Sequence, residues 1–345
     1  MKKKISILDC TLRDGGLALE DSAINGEEHN IFKNEVAINF IEKIKKSKIE
    51  IIEIGSIEIS NDDKKPFSIY QNIEEVSRLI PKNKLDDQIY AALFRGPDTP
   101  IADIPKWNPS YCEGIRVIIR YGEIKKSLDF CHALSEKGYK VFIQPMVTMR
   151  YDDSEIEALI DAANKMNAYS LYIVDSYGYM QSLDTLRLFQ KFHERLSKEI
   201  RIGFHSHNNM NLAFSNVMNF AENDTDRSLI IDSTIMGMGQ GAGNMQTELL
   251  VPYVNNTHKS NYSYNQILEA CEIIEPFCSQ NLWGYSVTNL LPAINKTAYK
   301  FANALRKKHK LSYPQIHEIL SNIPEKMRHR YTEENLAKLV DSLND

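Results

Sequence analysis

Short runs of β-branched and apolar residues recur along the chain as far as Met236, and segments with a helical period separate most of them. Between these runs, apolar residues lie three and four positions apart, which predicts helices over Glu35–Lys46, Glu155–Met166 and Leu183–Leu196. Strands that alternate with helices indicate parallel βα units, and eight units predict a closed (β/α)8 barrel. An open doubly wound sheet is the alternative. The runs that predict strands are Ile5–Leu12, Ile49–Ser56, Gln88–Phe94, Gly114–Arg120, Lys140–Thr148, Tyr169–Ser176, Arg201–Asn208 and Leu229–Met236.

The pattern changes after residue 255, where helical periodicity continues without further strand-like runs. The sequence therefore predicts an α/β protein with two domains, a TIM barrel over residues 1–255 and an α-helical C-terminal domain over 256–345. The length agrees, because 345 residues exceed the roughly 250 of a typical single barrel. The longest irregular stretches are predicted at 13–30, 57–70 and 95–112. The helices predicted for the second domain are Tyr264–Cys278, Leu290–His309, Tyr313–Ile323 and Glu333–Leu343.

Composition and charge narrow the class of protein. Hydrophobic residues make up 43% and charged residues 25%, which is typical of a globular chain and argues against disorder. The net charge of −5 argues against a nucleic-acid partner, and the apolar runs fall short of the ~20 residues that a membrane span needs. The five cysteines are odd in number and form no CxxC pair, so reduced thiols are expected. We therefore expect a soluble, cytoplasmic protein.

Polar side chains gather where the predicted strands end, which is where barrel enzymes build their sites. His205 and His207 stand two positions apart on one strand, so both imidazoles face the same side and can bind one metal ion. Asp14 follows the first strand, which is a near neighbour of the histidine strand in a closed barrel. One carboxylate and two imidazoles with open positions suit Mn²⁺, Co²⁺, Zn²⁺ or Mg²⁺. Two unrelated histidines, one hydrogen-bonded and one solvated, are the alternative.

Three further residues at this end of the barrel are candidates for supporting roles. The guanidinium of Arg13 either forms a salt bridge with Glu53 or stabilises an oxyanion beside the metal, and both can hold at once. Glu53 and Asp175 stand near the ends of the second and sixth strands, where they can support the site or contact substrate.

A run of glycines at alternate positions from 237 to 243 follows the eighth strand. Glycine permits a tight backbone turn that closely approaches a ligand, so this segment can present Asn244 to the site. A flexible loop is the alternative.

Three of these segments resemble motifs of the DRE-TIM metallolyase superfamily, in particular its 4-hydroxy-2-oxovalerate aldolase branch. Residues 8–15, LDCTLRDG, are similar to the opening motif, and residues 205–208, HSHN, to the metal-binding motif. Residues 239–244, GQGAGN, are similar to the turn after the eighth barrel strand. Gly284-Tyr285 before a helix resembles the start of the helical domain in that branch.

The resemblance implies a divalent-metal-dependent aldolase, a carbon–carbon lyase that splits a 4-hydroxy-2-oxo acid into pyruvate and an aldehyde through a pyruvate enolate, or runs in reverse. It implies that Arg13 stabilises the enolate oxygen and that Tyr285 borders the substrate pocket. Mn²⁺ is the first choice of ion, and Mg²⁺, Co²⁺ and Zn²⁺ are alternatives. The metal ligands that the resemblance implies are Asp14, His205, His207 and Asn244.

The chain departs from that branch at Leu17, where the family aldolases carry a catalytic histidine three positions after the metal aspartate. Leucine cannot transfer a proton, so the general base of the aldol step must come from elsewhere. The first candidate is His29, in the loop after strand one, although a histidine at a helix entry without a chemical role is the alternative. The other candidates are Glu20, Asp21, Tyr285 or a metal-bound water.

Two other functions remain open at this stage. One is a Claisen-type synthase of the same superfamily that joins an acyl-CoA to a 2-oxo acid, since the metal site would serve it equally. The other is a non-catalytic binding relative, which Leu17 favours. The resemblance also implies a homodimer and leaves open whether a partner dehydrogenase docks on the helical tail.

Overall fold

The computed structural model describes residues 4–24, 32–58, 68–278 and 283–341. In these residues a parallel sheet runs in the order β1-β9-β8-β7-β6-β5-β4-β2, and β2 pairs with β1 to close the ring. The short β3 adds to the C-terminal end of β2. The predicted eight-stranded TIM barrel is therefore confirmed. The strands are β1 (Ile5–Asp9), β2 (Ile51–Ile57), β3 (Ile69–Tyr70), β4 (Ile89–Phe94), β5 (Gly114–Ile119), β6 (Lys140–Pro145), β7 (Ser170–Asp175), β8 (Arg201–Ser206) and β9 (Leu229–Ser233).

All eight predicted strands are present, and most end a few residues earlier than predicted. The polar residues that follow them leave the sheet and form the rim of the barrel. His207, for example, lies just beyond β8, where an isolated bridge joins it to Asn244. The rim therefore begins where the hydrophobic alternation gives way to polar residues.

Helices surround the barrel, and the helices predicted near residues 35, 155 and 183 are confirmed as α2, α5 and α6. The predicted irregular stretch 13–30 is partly wrong, because a π-helical turn at Thr11–Gly15 runs directly into α1. Between β4 and β5 the chain forms only a short 3₁₀ turn, Ile101–Asp103. The helices of this region are α1 (Gly16–Ile24), α2 (Asn34–Ser47), α3 (Ile73–Ser77), α4 (Ile124–Glu136), α5 (Asp153–Lys165), α6 (Ser182–Arg195), α7 (Ala213–Ala221), α8 (Thr247–His258) and α9 (Tyr264–Cys278).

Five more helices follow in the described part of the tail. The single helix predicted over Leu290–His309 is divided in two, because Lys296 adopts a left-handed conformation with φ of 54°. Ser312 begins α12 with a capping box, in which its side chain and Gln315 satisfy each other's backbone amides. The tail helices are α10 (Val287–Ile294), α11 (Tyr299–Lys307), α12 (Tyr313–Ser321), α13 (Glu325–Arg328) and α14 (Glu333–Asp341).

The hydrophobic core divides later in the chain than the predicted domain boundary at residue 255. Ile267 and Ile274 of α9 belong to the large core around the barrel. A second core joins Phe301 and Leu320 of the tail to Tyr177, which follows β7. The helical unit with a core of its own therefore begins at α10, and it packs onto the rim where the strands end.

The five cysteines are free thiols, as predicted. Across the described segments, each helix is too short or too polar to cross a membrane.

Candidate metal centre

Asp14 lies in the π-helical turn after β1, with its side chain almost completely buried. The turn is held by the backbone amide of Asp14, which donates to the carbonyl of Cys10 at 2.9 Å. Arg13 Nη1 donates to one carboxylate oxygen of Asp14 at 2.6 Å, and Asn244 Nδ2 donates to the other. The carboxylate is thus fixed in orientation at the barrel rim.

The two imidazoles converge through their Nε2 atoms, which lie 3.3 Å apart. His205 Nδ1 lies 2.9 Å from Asp232 Oδ2, and His207 Nδ1 lies 3.1 Å from the carbonyl of Gln240. A carbonyl accepts only, and so does an ionised carboxylate, so each Nδ1 must carry the proton in a neutral ring. Both Nε2 atoms therefore present lone pairs to each other, an arrangement that a shared cation would stabilise.

The two distances that involve His207 Nε2, 3.3 Å to His205 and 3.9 Å to Asp14, fit one shared ion. His207 Nε2 lies 3.9 Å from Asp14 Oδ2, and the candidate ligand atoms of Asp14, His205 and His207 all lie within 4.8 Å of one another. Ligand atoms that share an ion at about 2.1 Å can be separated by up to about 4.2 Å. The donor set, one carboxylate and two neutral imidazoles, suits a divalent transition metal or Mg²⁺.

The glycine turn brings Asn244 against Asp14. Asn244 Nδ2 also donates to the carbonyl of Met238 at 3.0 Å, whereas its Oδ1 is buried without a partner. A Cβ on Gly239 would collide with Asn244 Nδ2 and lie 2.6 Å from Asp14 Oδ2, so only glycine permits this approach. A buried acceptor without a donor beside three candidate ligands is a further feature that a cation would satisfy.

A second group of side chains, Cys10, His205 and Asp232, also brings its possible ligand atoms within 4.8 Å of one another. It fits an ion less well. Burial raises the pKa of the Cys10 thiol well above its usual value, and Sγ already donates to the carbonyl of Ser233 at 3.5 Å. Asp232 is already bound by Arg116 and His205.

Electrostatics favour the charge states that metal binding needs. Burial alone would raise the pKa of Asp14, but the guanidinium of Arg13 and then His207 hold it at about 2, so the carboxylate is ionised at neutral pH. Burial lowers the pKa of His207 to about 4, so its ring is neutral there. Neither ligand would have to lose a proton to bind a cation at neutral pH.

A buried arginine connects the residues that contact Arg13 with those that contact His205. Arg116, in β5, donates to Glu53 at 2.6 Å and also to Asp232. Glu53 in turn accepts from Arg13 Nε at 2.9 Å, which is the ion pair expected from the sequence. The chain of contacts Arg13–Glu53–Arg116–Asp232–His205 therefore orients both the guanidinium and one imidazole.

Arg116 was not among the site residues predicted from the sequence. Burial alone would lower its pKa, but the carboxylates of Asp232 and Glu53 raise it well above the usual value, so it stays charged. The guanidinium also packs over the ring of Tyr172, with 5.0 Å between its central carbon and the ring centroid. A single arginine inside the otherwise apolar strand Gly114–Ile119 was the available signal.

A cavity of about 370 Å³ opens above the cluster and is walled by both units of the chain. The barrel contributes Arg13, Asp14 and both histidines, and the tail closes the opposite side. His329 of the tail stacks on Tyr177, with ring centroids 5.7 Å apart and planes 5° from parallel. The other cavity residues are Leu93, Ile118, Gln144, Met146, Val174, Ser176, Gln240, Ala298, Tyr299, Lys300, Arg330 and Tyr331.

The structure does not bring every candidate residue into this cavity. Tyr285 is 58% exposed and is not among the lining residues, so the tail reaches the site through 298–300 and 329–331 instead. Asp175 accepts from the backbone amides of Tyr179 and Met180 and holds the loop after β7. Burial raises its pKa to about 7.

Of the two positions considered for the general base, Leu17 and His29, only Leu17 lies within the described residues. Leu17 is buried in α1, and it is not a lining residue of the cavity. His29 lies outside the described residues.

Comparison with known proteins shows that residues 119–274, somewhat less than half of the chain, match a family model described as HMGL-like. The match includes His205, His207 and Asn244, but it begins after the β1 segment and so leaves out Arg13 and Asp14. The predicted resemblance to the DRE-TIM superfamily is confirmed over residues 119–274.

Individual relatives point to the same fold and to lyases. The oxaloacetate decarboxylase of Mycobacterium tuberculosis is 26% identical over 249 residues, which cover 71% of this chain and 68% of that protein. The 4-hydroxy-2-oxovalerate aldolase of Chloroflexus aggregans is 40% identical over 97 residues, 27% of each chain. The solved N-terminal domain of a candidate aldolase from Bacteroides vulgatus superposes with a TM-score of 0.73 at 23% identity. It covers 88% of this chain and 98% of that chain, and shows the fold alone.

Proposed function

We propose that this protein is a divalent-metal-dependent carbon–carbon lyase that cleaves a 4-hydroxy-2-oxo acid into pyruvate and an aldehyde, or forms it in reverse. The observation that carries the proposal is the convergence of two Nε2 lone pairs with the Asp14 carboxylate, beside the guanidinium of Arg13 in a cavity. Mn²⁺ is the proposed ion, with Mg²⁺, Co²⁺ and Zn²⁺ as alternatives. A cation held by Asp14, His205 and His207, with Asn244 beside them, would supply Lewis-acid polarisation of the 2-oxo group.

The protein's own groups supply the rest of the enolate stabilisation. Two nitrogens of Arg13 bind Asp14 and Glu53, which fixes the guanidinium plane at the cavity. A fixed positive charge in a site removed from bulk water stabilises the negative charge that develops on the enolate oxygen. Glu53 thereby serves as a positioning residue for Arg13.

Cleavage of a 4-hydroxy acid also requires a group that accepts the hydroxyl proton, and Leu17 cannot do so. This favours a second candidate reaction, the loss of CO₂ from a 2-oxo acid with a carboxylate at C4. There the carbon–carbon bond breaks and its electron pair forms the same pyruvate enolate, without a proton acceptor for that step. Oxaloacetate is the simplest such acid, and one of the relatives is named as its decarboxylase.

The proposal is tested by pyruvate release. Chelator-treated protein is reloaded with Mn²⁺ and mixed with 4-hydroxy-2-oxo acids of different chain length and with oxaloacetate, and pyruvate is followed through a coupled dehydrogenase. We expect metal-dependent release from one of the two classes, and the class identifies the reaction. Release that is unaffected by chelation would exclude the metal mechanism.

His207→Ala is the critical variant. Without this imidazole the site should lose bound metal, and pyruvate release should fall by about 10³-fold or more while the thermal unfolding transition persists. His309→Ala is the matched control, because His309 is an exposed histidine of the tail. Full activity with stoichiometric metal in His207→Ala would overturn the proposed site.

The other candidate functions are distinguished in the same assays. A Claisen-type synthase would release free thiol from acetyl-CoA only when a 2-oxo acid is present. A non-catalytic relative would bind metal but release neither pyruvate nor free thiol with any of these substrates.

A homodimer and the docking of a dehydrogenase on the tail stay predictions from the family resemblance. Light scattering of the purified protein tests the first. Co-elution with an acylating aldehyde dehydrogenase tests the second.

A further inference from the structure

Gln144 is a buried side chain at the cavity whose donor has no partner in the protein. It lies in β6, is 5% exposed and lines the cavity above the metal cluster. Its Nε2 is buried and forms no hydrogen bond within the described structure. A buried donor without an acceptor costs about 1–3 kcal/mol, so a ligand that supplies an acceptor here would be stabilised.

The orientation of this amide is fixed by chemistry. Arg116 Nη2 lies 3.1 Å from Gln144 Oε1, and a guanidinium can only donate. The atom that faces Arg116 must therefore be the amide oxygen, and a flipped amide would oppose two donors. The NH₂ group is left as the free end of the side chain.

The same guanidinium places Gln144 beside the proposed reaction centre. Arg116 Nη2 also binds Asp232, whose Oδ2 lies 2.9 Å from His205 Nδ1. Gln144 is thus linked to a candidate metal ligand through Arg116 and Asp232. The cavity, at about 370 Å³, corresponds to about a dozen water volumes and has room for a 2-oxo acid at this depth.

We infer that Gln144 binds substrate, its Nε2 donating a hydrogen bond to a carboxylate oxygen of the 2-oxo acid. The inference rests on the proposed function, because it concerns the acid that this site would take. A 2-oxo acid brings three oxygen acceptors to the site, and Arg13 and Gln144 are buried lining residues whose side chains carry donors. The acid in turn would satisfy the buried Nε2 donor of Gln144, which has no partner in the described part of the chain.

Gln144→Glu is the test, because it keeps the shape of the side chain while it replaces the donor with an acceptor and adds a negative charge. The new side chain has the same shape and still offers an oxygen to Arg116, but it presents an oxygen where the NH₂ group was. The Kd of pyruvate and of oxalate for the Mn²⁺-loaded protein should rise by about 10- to 100-fold in calorimetric titrations. Metal stoichiometry and the unfolding temperature serve as checks on the site, and Gln190→Glu, on the exposed face of α6, controls for the added charge.

A purely structural Gln144 would give a different result. If its role is only to accept from Arg116, Gln144→Glu keeps that contact and binds pyruvate as the wild type does, which overturns the inference and leaves the proposed function intact. If the wild-type, Mn²⁺-loaded protein binds neither pyruvate nor oxalate, the proposed function fails and the inference falls with it.

A measurement on the wild type covers the case in which the variant fails to fold. The side-chain amide signal of Gln144, assigned with Gln144→Leu or by selective labelling, should move downfield in ¹⁵N NMR spectra when oxalate is added to the Mg²⁺-loaded protein. An unchanged signal under saturating oxalate would contradict the proposed hydrogen bond.

Discussion

The floor and the tail side of the cavity are built in different ways. The floor comes from the barrel strands and the turn after β1, where Asp14, Glu53 and Asp232 are buried and each binds a positively charged group. The tail side comes from 298–300 and 329–331, where Arg330 is exposed and Tyr299 and Lys300 are half-buried. The floor is fixed by barrel closure itself, whereas the tail side depends on a separate hydrophobic core.

From this difference we expect the floor to stabilise the enolate and the tail side to select among substrates. Preorganised charges that cannot relax are what stabilisation of an enolate requires. Partly exposed side chains on a second unit can change without disturbing the barrel, which suits selection among substrates. We therefore expect substitutions in the floor to affect stability and chemistry together, and those on the tail side to have smaller and separable effects.

The largest effect is expected from Arg116→Met. Removal of the guanidinium leaves Glu53 and Asp232 buried without their shared cation, so the free energy of unfolding should fall by about 3–5 kcal/mol in a denaturant titration. Pyruvate release should fall as well, because Arg13 and His205 lose their supports. The control is Arg120→Met, just beyond the same strand, whose half-exposed ion pair with Asp98 should contribute less than about 1 kcal/mol. Equal losses in the two variants would contradict the view of a preorganised floor.

Gly239→Ala should act on the metal rather than on the fold. Its methyl group would push Asn244 and Asp14 apart, so the affinity for Mn²⁺ should fall by about 10- to 100-fold in a chelator competition assay. Gly122→Ala is the control, because a Cβ there meets no atom within 4 Å. Its positive φ of 86° lets it report the stability cost of a strained alanine without any contact to the site. Unchanged metal affinity in Gly239→Ala would show that the close approach has no role in binding.

The smallest effect is expected on the tail side, from His329→Gln. Burial, with Arg150 and Arg328 nearby, lowers the pKa of His329 to about 4 in the folded protein. The unfolded chain therefore binds a proton between about pH 6.5 and 4 that the folded chain does not, and stability falls as the pH drops through this window. The substitution removes this contribution, so the drop in unfolding temperature from pH 7 to 4.5 should shrink by roughly 2 °C.

The exposed His309→Gln is the control for that measurement and should keep the wild-type pH dependence. A pH dependence in His329→Gln identical to that of the wild type would mean that His329 titrates alike in the folded and unfolded chain. Pyruvate release at neutral pH should change less in His329→Gln than in Arg116→Met, which compares the two sides of the cavity directly.

Much of the fold was readable from the sequence because its signals are local. Alternating strands and amphipathic helices encode a (β/α)8 barrel, and the strand-end motifs place Asp14, His205 and His207 on one rim. The turn that follows β9 could be anticipated from its glycines, since close backbone approach is a local property. The later start of the tail unit could not, because the apolar face of α9 suits a barrel as well as a second core.

The contacts between distant segments of the chain were decided only by the tertiary structure. Arg116 acquires its role because β5 lies where Glu53 and Asp232 can reach one guanidinium, 63 and 116 residues away in the chain. Gln144 presents a free donor only because that same guanidinium occupies its oxygen. Tyr285, singled out from the sequence, lies exposed, whereas His329 reaches the cavity through the packing of the tail on Tyr177. A local pattern fixes which face of an element is buried, but which side chains meet there depends on how the barrel closes and where the tail packs.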